Sequence, residues 1–124
     1  MKRDLDLIRS LLFAVEKNED PTAMLDPKIE GYNELQISYH IMLMDDAGLL
    51  KGTDRTAIGV FRWSASHLTW AGHELLDAAR KDEIWKEVMA KVDASGDNVP
   101  FDLLKKLLLE TGEKHLRGGA AKAS

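Results

Sequence analysis

Residues 48–80 constrain the fold more than any other part of the chain. Gly48 closes a helical stretch, Gly52-Thr53-Asp54 is a turn signal, and over residues 58–67 Val60, Arg62 and Ser64 alternate with Phe61, Trp63 and Ala65. Alternation of period two bounded by turn residues reads as a hairpin of two strands. Thr69 then stands where a helix N-cap belongs, and residues 70–92 carry Leu75, Leu76, Ala79, Ile84, Val88 and Trp85 as the inward stripe of one helix. A hairpin held between helices excludes both a plain helical bundle and a parallel sheet.

The flanks agree with that frame. Over residues 4–17, Leu5, Ile8, Leu12 and Val15 recur at helical spacing, with Leu7, Leu11 and Ala14 widening the stripe. Asp4 and Asp6 suit the positive end of that helix, and Asp20-Pro21 stops it. Residues 21–31 hold two prolines and read as a loop with at most a short edge strand near Lys28-Ile29-Glu30. A second helical region covers residues 33–47, with a break expected near residues 36–38. Residues 93–98 are turn chemistry, Pro100 opens a last helix, and residues 118–124 are expected to fray. In 124 residues there is room for one hydrophobic core, and the absence of Cys excludes thiolate chemistry and fits a reducing cytoplasm. No run approaches the roughly 20 apolar residues of a membrane span.

The element order is that of a winged helix-turn-helix, and two strings sharpen it. HIMLMDDAGLLKG, His40 to Gly52, is similar to the end of a winged-helix recognition helix stepping into the first wing strand. HLTWAGHELLDAAR, His67 to Arg80, resembles the Leu-Thr-x-x-Gly-x-x-Leu-Leu signature of regulators of the multiple-antibiotic-resistance type. In physical terms, Leu68 plugs the core, Thr69 caps the helix, and Gly72 allows close approach to the sheet. The blocks MKRDLDLIR, YHIMLMDDAGLL and LTWAGHELLDAAR, followed by Trp85, together resemble an uncharacterised bacterial and phage protein family. That resemblance implies a winged-helix fold and a bacterial or prophage setting, and carries no activity with it. The expected architecture is therefore mainly α with a small antiparallel hairpin and added C-terminal helices. A winged-helix domain would span residues 1–92, a helical extension packed on it or on a partner subunit residues 93–117, and a disordered tail residues 118–124.

For such a fold the first reading is a non-catalytic, DNA-binding regulator. Spacing back from Gly48 buries Ile37, Ile41 and Met44 and leaves Gln36, Ser38 and Tyr39 to read bases of double-stranded DNA, while Lys51, Arg55 and Arg62 on the wing hold phosphates. Against it, residues 33–47 contain no Lys or Arg and end in Asp45-Asp46, and the net charge is −4. The rival reading is a protein-binding winged helix, for instance a phage or mobile-element adaptor acting on a host protein, whose exposed Tyr39, Met42 and Leu43 form an apolar patch. Leu103, Leu104, Leu107 and Leu108 are dimer candidates that serve either function, or else they cap the monomer core.

Catalytic and metal chemistry find little footing. His73 and Asp77 share a helix face, and only His67 offers a third ligand, so no metal site is expected. Neither Ser64 nor Ser66 sits in a nucleophile elbow, no glycine-rich phosphate loop is present, and no cofactor is expected. Trp63, Trp70 and Trp85 read as core and edge packing, and His40 as a structural histidine.

Overall fold

The computed structural model describes residues 1–94 and 99–123, with side chains to residue 118. The element order is α1 (Leu5–Glu16), α2 (Glu34–Asp46), β1 (Leu50–Asp54), β2 (Trp63–Leu68), α3 (Trp70–Ala79), α4 (Asp82–Ala94) and α5 (Phe101–Ala123). The chain is thus mainly helical with a two-stranded antiparallel sheet. It divides into two compact units, residues 1–76 and 77–124, a division earlier than the boundary at 92/93 read from sequence.

In the first unit, α1 starts at Asp4, whose carboxylate accepts from the Leu7 N–H at 3.0 Å. Its buried face is Leu7, Leu11, Leu12 and Val15, so the core stripe is rotated away from Leu5 and Ile8, which are half-buried. The expected break at residues 36–38 does not occur. A capping box forms instead: Asn33 accepts from the Gln36 N–H at 2.8 Å and Gln36 accepts from the Asn33 N–H at 2.9 Å, and α2 runs unbroken to the Ala47 cap.

The hairpin pairs Leu50 with Leu68 and Asp54 with Trp63, with a bulge between Lys51 and Gly52. Beyond Asp54, the Ala57 and Val60 main chains bond reciprocally around Ile58 and Gly59, both at positive φ, as a two-residue hairpin turn requires. Gly59 meets that demand freely, whereas Ile58 at φ 51° is a β-branched residue held in a left-handed conformation, and it is fully exposed. The expected edge strand lies at Leu25 rather than at residues 28–30, and it exchanges main-chain hydrogen bonds of 2.7 and 3.0 Å with Ala65.

At the exit of β2, Thr69 donates through Oγ1 to the Gly48 carbonyl at 2.5 Å and accepts from the Gly72 N–H at 3.1 Å. The cap therefore ties the start of α3 to the end of α2. A Cβ on Gly72 would overlap the Leu49 carbonyl oxygen, so the close approach inferred from the sequence is realised against backbone that cannot swing aside.

In the second unit the single helix expected over residues 70–92 is interrupted at Arg80-Lys81, where Asp82 and Glu83 supply the acidic first turn of α4. Ile84, Trp85, Val88 and Val92 of α4 and Leu104, Leu108 and Thr111 of α5 are buried. His115 lies 3.2 Å from Glu87 across these two helices, and this contact holds the Glu87 carboxyl below its ordinary range. Pro100 precedes α5 as expected. The helix continues to Ala123, where the sequence suggested fraying from residue 118, while the turn signals at residues 95–98 and Ser124 lie outside the described residues.

Gly72→Ala forces backbone apart where Leu49 crosses α3. It is expected to destabilise the chain by roughly 1–3 kcal/mol, the cost of overpacking a closed core, read as a lower urea midpoint at unchanged m-value.

Candidate interaction surface

His40 organises the first unit from inside. It is 1% exposed, its Nε2 accepts the Asp4 N–H at 2.8 Å, and its Nδ1 lies 2.7 Å from the Gln36 carbonyl, to which it donates. One nitrogen accepting and the other donating is the neutral Nδ1–H tautomer. Asp4 also accepts from the Tyr32 hydroxyl at 2.8 Å. A single residue thereby caps α1, anchors the buried histidine of α2 and pins the loop over residues 26–33. The hydrogen bond to Asp4, helped by partial burial, pushes the Tyr32 phenol up to about 12.

Burying His40 and Ser38 on one side of α2 turns apolar residues outward on the other. Leu35 is 52% exposed, and Tyr39, Met42 and Leu43 are half-buried. They stand at i, i+4, i+7 and i+8 and form one continuous stripe. Glu34 and Asp46 are exposed at its two ends, while Asp45 is turned to the sheet and accepts the Gly52 N–H at 2.9 Å.

The residues expected to read DNA bases do not form a reading surface. Gln36 is half-buried and occupied by the capping box, Ser38 is 5% exposed, and Tyr39 is half-buried with its ring edge-on to His40 at 5.8 Å. Ser38 fails because the inward stripe is one residue wider than spacing from Gly48 suggested, the i+3 neighbour Ile41 drawing it under. The apolar trio Tyr39, Met42 and Leu43 does lie on one face, joined by Leu35, which sequence reasoning missed.

On the wing, Lys51 is exposed, whereas Arg55 and Arg62 converge on Asp26. Their guanidinium nitrogens lie 3.8 and 3.5 Å from its Oδ2, and Ser64, fully buried, donates to its Oδ1 at 2.6 Å. Both arginines remain about half exposed, so this pairing weakens their field without removing it. Asp26 carries no signal of its own in the sequence, where it sits within the proline-containing loop over residues 21–31.

A groove of about 630 Å³ opens beside the wing, lined by Tyr32, Ile37, Phe61 and Trp63 with Lys28 and Arg62 among its charged groups. Trp85 is buried as expected, but Trp70 is 81% exposed and is not a packing residue. In the second unit the leucine quartet splits. Leu104 and Leu108 are core, Leu107 is half-buried, and Leu103 is 44% exposed, because a helix laid on a single partner buries one edge of a four-leucine stripe. No group of three or more potential metal ligands occurs among the described residues, and no helix there is long and apolar enough to cross a membrane.

Because the Tyr32 phenol is raised from 10.0 to about 12, the stability it lends is fully present below pH 10 and is lost as pH rises through 12. Titration of phenolate ultraviolet absorbance should show one late tyrosine that Tyr32→Phe removes. A late step surviving that change would disconnect it from Asp4.

Residues 2–98 match the family model described as "Hypothetical protein (DUF2513)". An "Uncharacterized protein" of Haemophilus influenzae is 33% identical over 108 residues, covering 86% of this chain and 92% of that relative. No solved structure matches the chain. The buried histidine, the close glycine and the α2–hairpin step lie within the matched residues, and the chain belongs to the DUF2513 family.

Proposed function

We propose that this chain is a non-catalytic, cytoplasmic, winged-helix-like module that binds another protein through the outward face of α2. The observation that carries the reading is the outer face of α2: the helix buries Ile37, Ser38, His40, Ile41 and Met44 and leaves Leu35 exposed, with Tyr39, Met42 and Leu43 half-buried beside it. Exposing a contiguous apolar stripe on a helix costs solvation, and such stripes are what helix-binding partners read. The packing of α2 on the hairpin, with Leu25 bridging to Ala65 as a third strand would, supports the winged-helix comparison. Electrostatics points to protein rather than phosphate. Residues 1–76 hold eight Lys and Arg against twelve Asp and Glu, and the helix that would enter a groove carries none of the eight. Ile58 at the hairpin tip adds a fully exposed apolar side chain in a strained conformation, a combination found at contact sites more than on inert surface.

DNA binding as a bacterial or prophage regulator is the second reading. It is favoured by one observation: Lys51, Arg55 and Arg62 all lie on the hairpin, and a single carboxylate serves two of them. Tyr39 would then be the sole base-reading candidate left on α2.

Tyr39→Ala with Met42→Ala should lose partner capture from a lysate of the host bacterium, while the urea midpoint stays close to that of the parent. Arg55→Ala with Arg62→Ala should retain it. Undiminished capture by the α2 variant would remove that face from the account.

A further inference from the structure

Ser38 is a buried polar group that the α2 surface does not use. A serine within a helix commonly turns its hydroxyl back to the carbonyl four residues earlier. Ser38, 5% exposed, does not: no protein group among the described residues bonds its Oγ. The atom is not sealed in either, since Glu87 Oε2 is the sole enclosed side-chain polar atom among those residues that lacks a partner. The opening that Ser38 lines is the groove of about 630 Å³ beside the wing. Buried hydroxyls without partners are rare, because each has given up water without a replacement bond. A deeply buried hydroxyl that is open to one cavity, able to donate one bond and accept two, is a polar group placed for a ligand.

The walls select the rest of the ligand's chemistry. Tyr32, Phe61 and Trp63 bring three aromatic side chains to the groove, together with Pro27 and Ile37, and the Tyr32 ring is held there by its hydroxyl bond to Asp4. Among the described residues none of these three rings is in stacking or edge contact with another ring, and none lies under a cation. Aromatic rings gain from offset or edge contact with a further ring, so three unpaired rings around one opening favour a flat aromatic occupant. The charges cancel: Asp26 and Glu34 stand against Lys28 and Arg62, and Arg62 already lies 3.5 Å from Asp26. A charged ligand gains no net attraction here and gives up its hydration, whereas a neutral one loses little. We infer that this groove binds an uncharged, planar aromatic small molecule that packs among Tyr32, Phe61 and Trp63 and hydrogen-bonds to Ser38 Oγ. The volume is within the range of sites that enclose small ligands. The groove draws on Ile37 and Ser38 of α2 and on none of Leu35, Tyr39, Met42 and Leu43, so its occupancy does not depend on whether that stripe binds protein.

The test uses the full chain, isotope-labelled for amide NMR and titrated to millimolar concentration with indole, with N-methylindole, which lacks the ring N–H, and with the charged relatives indoleacetate and tryptamine. Indole should shift the amides of Tyr32, Ile37, Ser38, Phe61 and Trp63 saturably and leave those of Leu35, Met42 and Leu43 in place. Both charged relatives should bind several-fold more weakly. Ser38→Ala should weaken indole roughly three- to tenfold, the worth of one neutral hydrogen bond, and leave the affinity for N-methylindole unchanged. Phe61→Ala, at a half-buried position, should weaken both uncharged probes alike, which keeps the groove testable if the helix variant does not fold. No saturable shift with indole, shifts that fall outside the groove residues, charged relatives that bind as tightly as indole, unchanged affinities on Phe61→Ala, or an equal loss of both uncharged probes in a Ser38→Ala chain that keeps the parent urea midpoint would each overturn the inference.

Discussion

The hydrogen bond from the Asp4 N–H to His40 Nε2 is the contact on which the first unit's surface depends. A histidine at 1% exposure in an otherwise apolar interior is tolerable only if both ring nitrogens are engaged, since a buried unsatisfied polar group costs about 1–3 kcal/mol. Asp4 meets half of that requirement and the Gln36 carbonyl the other half. With the ring fixed at both ends, α2 is held with Leu35 outward. The apolar outer stripe thus follows from a polar constraint on the inside.

A second constraint acts at the far end of the helix. Gly72 lets the start of α3 press on the Leu49 carbonyl, and Thr69 closes the corner by bonding to Gly48. Between them, the histidine clamp at the N-terminal side and the glycine contact at the C-terminal side fix where α2 sits on the hairpin. Asp26 then sets the charge of the neighbouring wing by drawing Arg55 and Arg62 toward one carboxylate. What results is a rigid helix face with apolar character, flanked by a hairpin whose cations are partly compensated.

Much of this fold was legible in the residues, for identifiable reasons. The Thr69 cap and the Gly72 approach are local signals that appear where geometry demanded them, whereas the Gly52-Thr53-Asp54 turn signal lies inside β1, the turn itself falls at Ile58-Gly59, and β2 begins only at Trp63. Most of the other failures are tertiary. The stripe of α1 is set by what lies beneath it, so Leu7 and Leu11 displace Leu5 and Ile8. The unbroken α2 depends on a reciprocal cap, Asn33 with Gln36 three residues on, which is a local signature in the sequence that the expected break near residues 36–38 passed over. Helical phase alone places Gln36, Ser38 and Tyr39 outward, and phase cannot tell that Ser38 is buried or that Gln36 is already bonded. Asp26 is forty residues or fewer from the side chains it gathers, yet nothing in its neighbourhood of sequence links it to Arg55, Arg62 and Ser64.

A protein-binding face on α2 beside a compensated wing should leave the chain without affinity for phosphate. The most direct measurement is fluorescence anisotropy of labelled duplex DNA, using both the sequence flanking the gene and a scrambled one, at about 50 mM salt, where counterion release makes phosphate attraction strongest. Neither duplex should show saturable binding. Binding that is specific and that weakens steeply as salt is raised to physiological strength would contradict it and restore the wing arginines as DNA contacts.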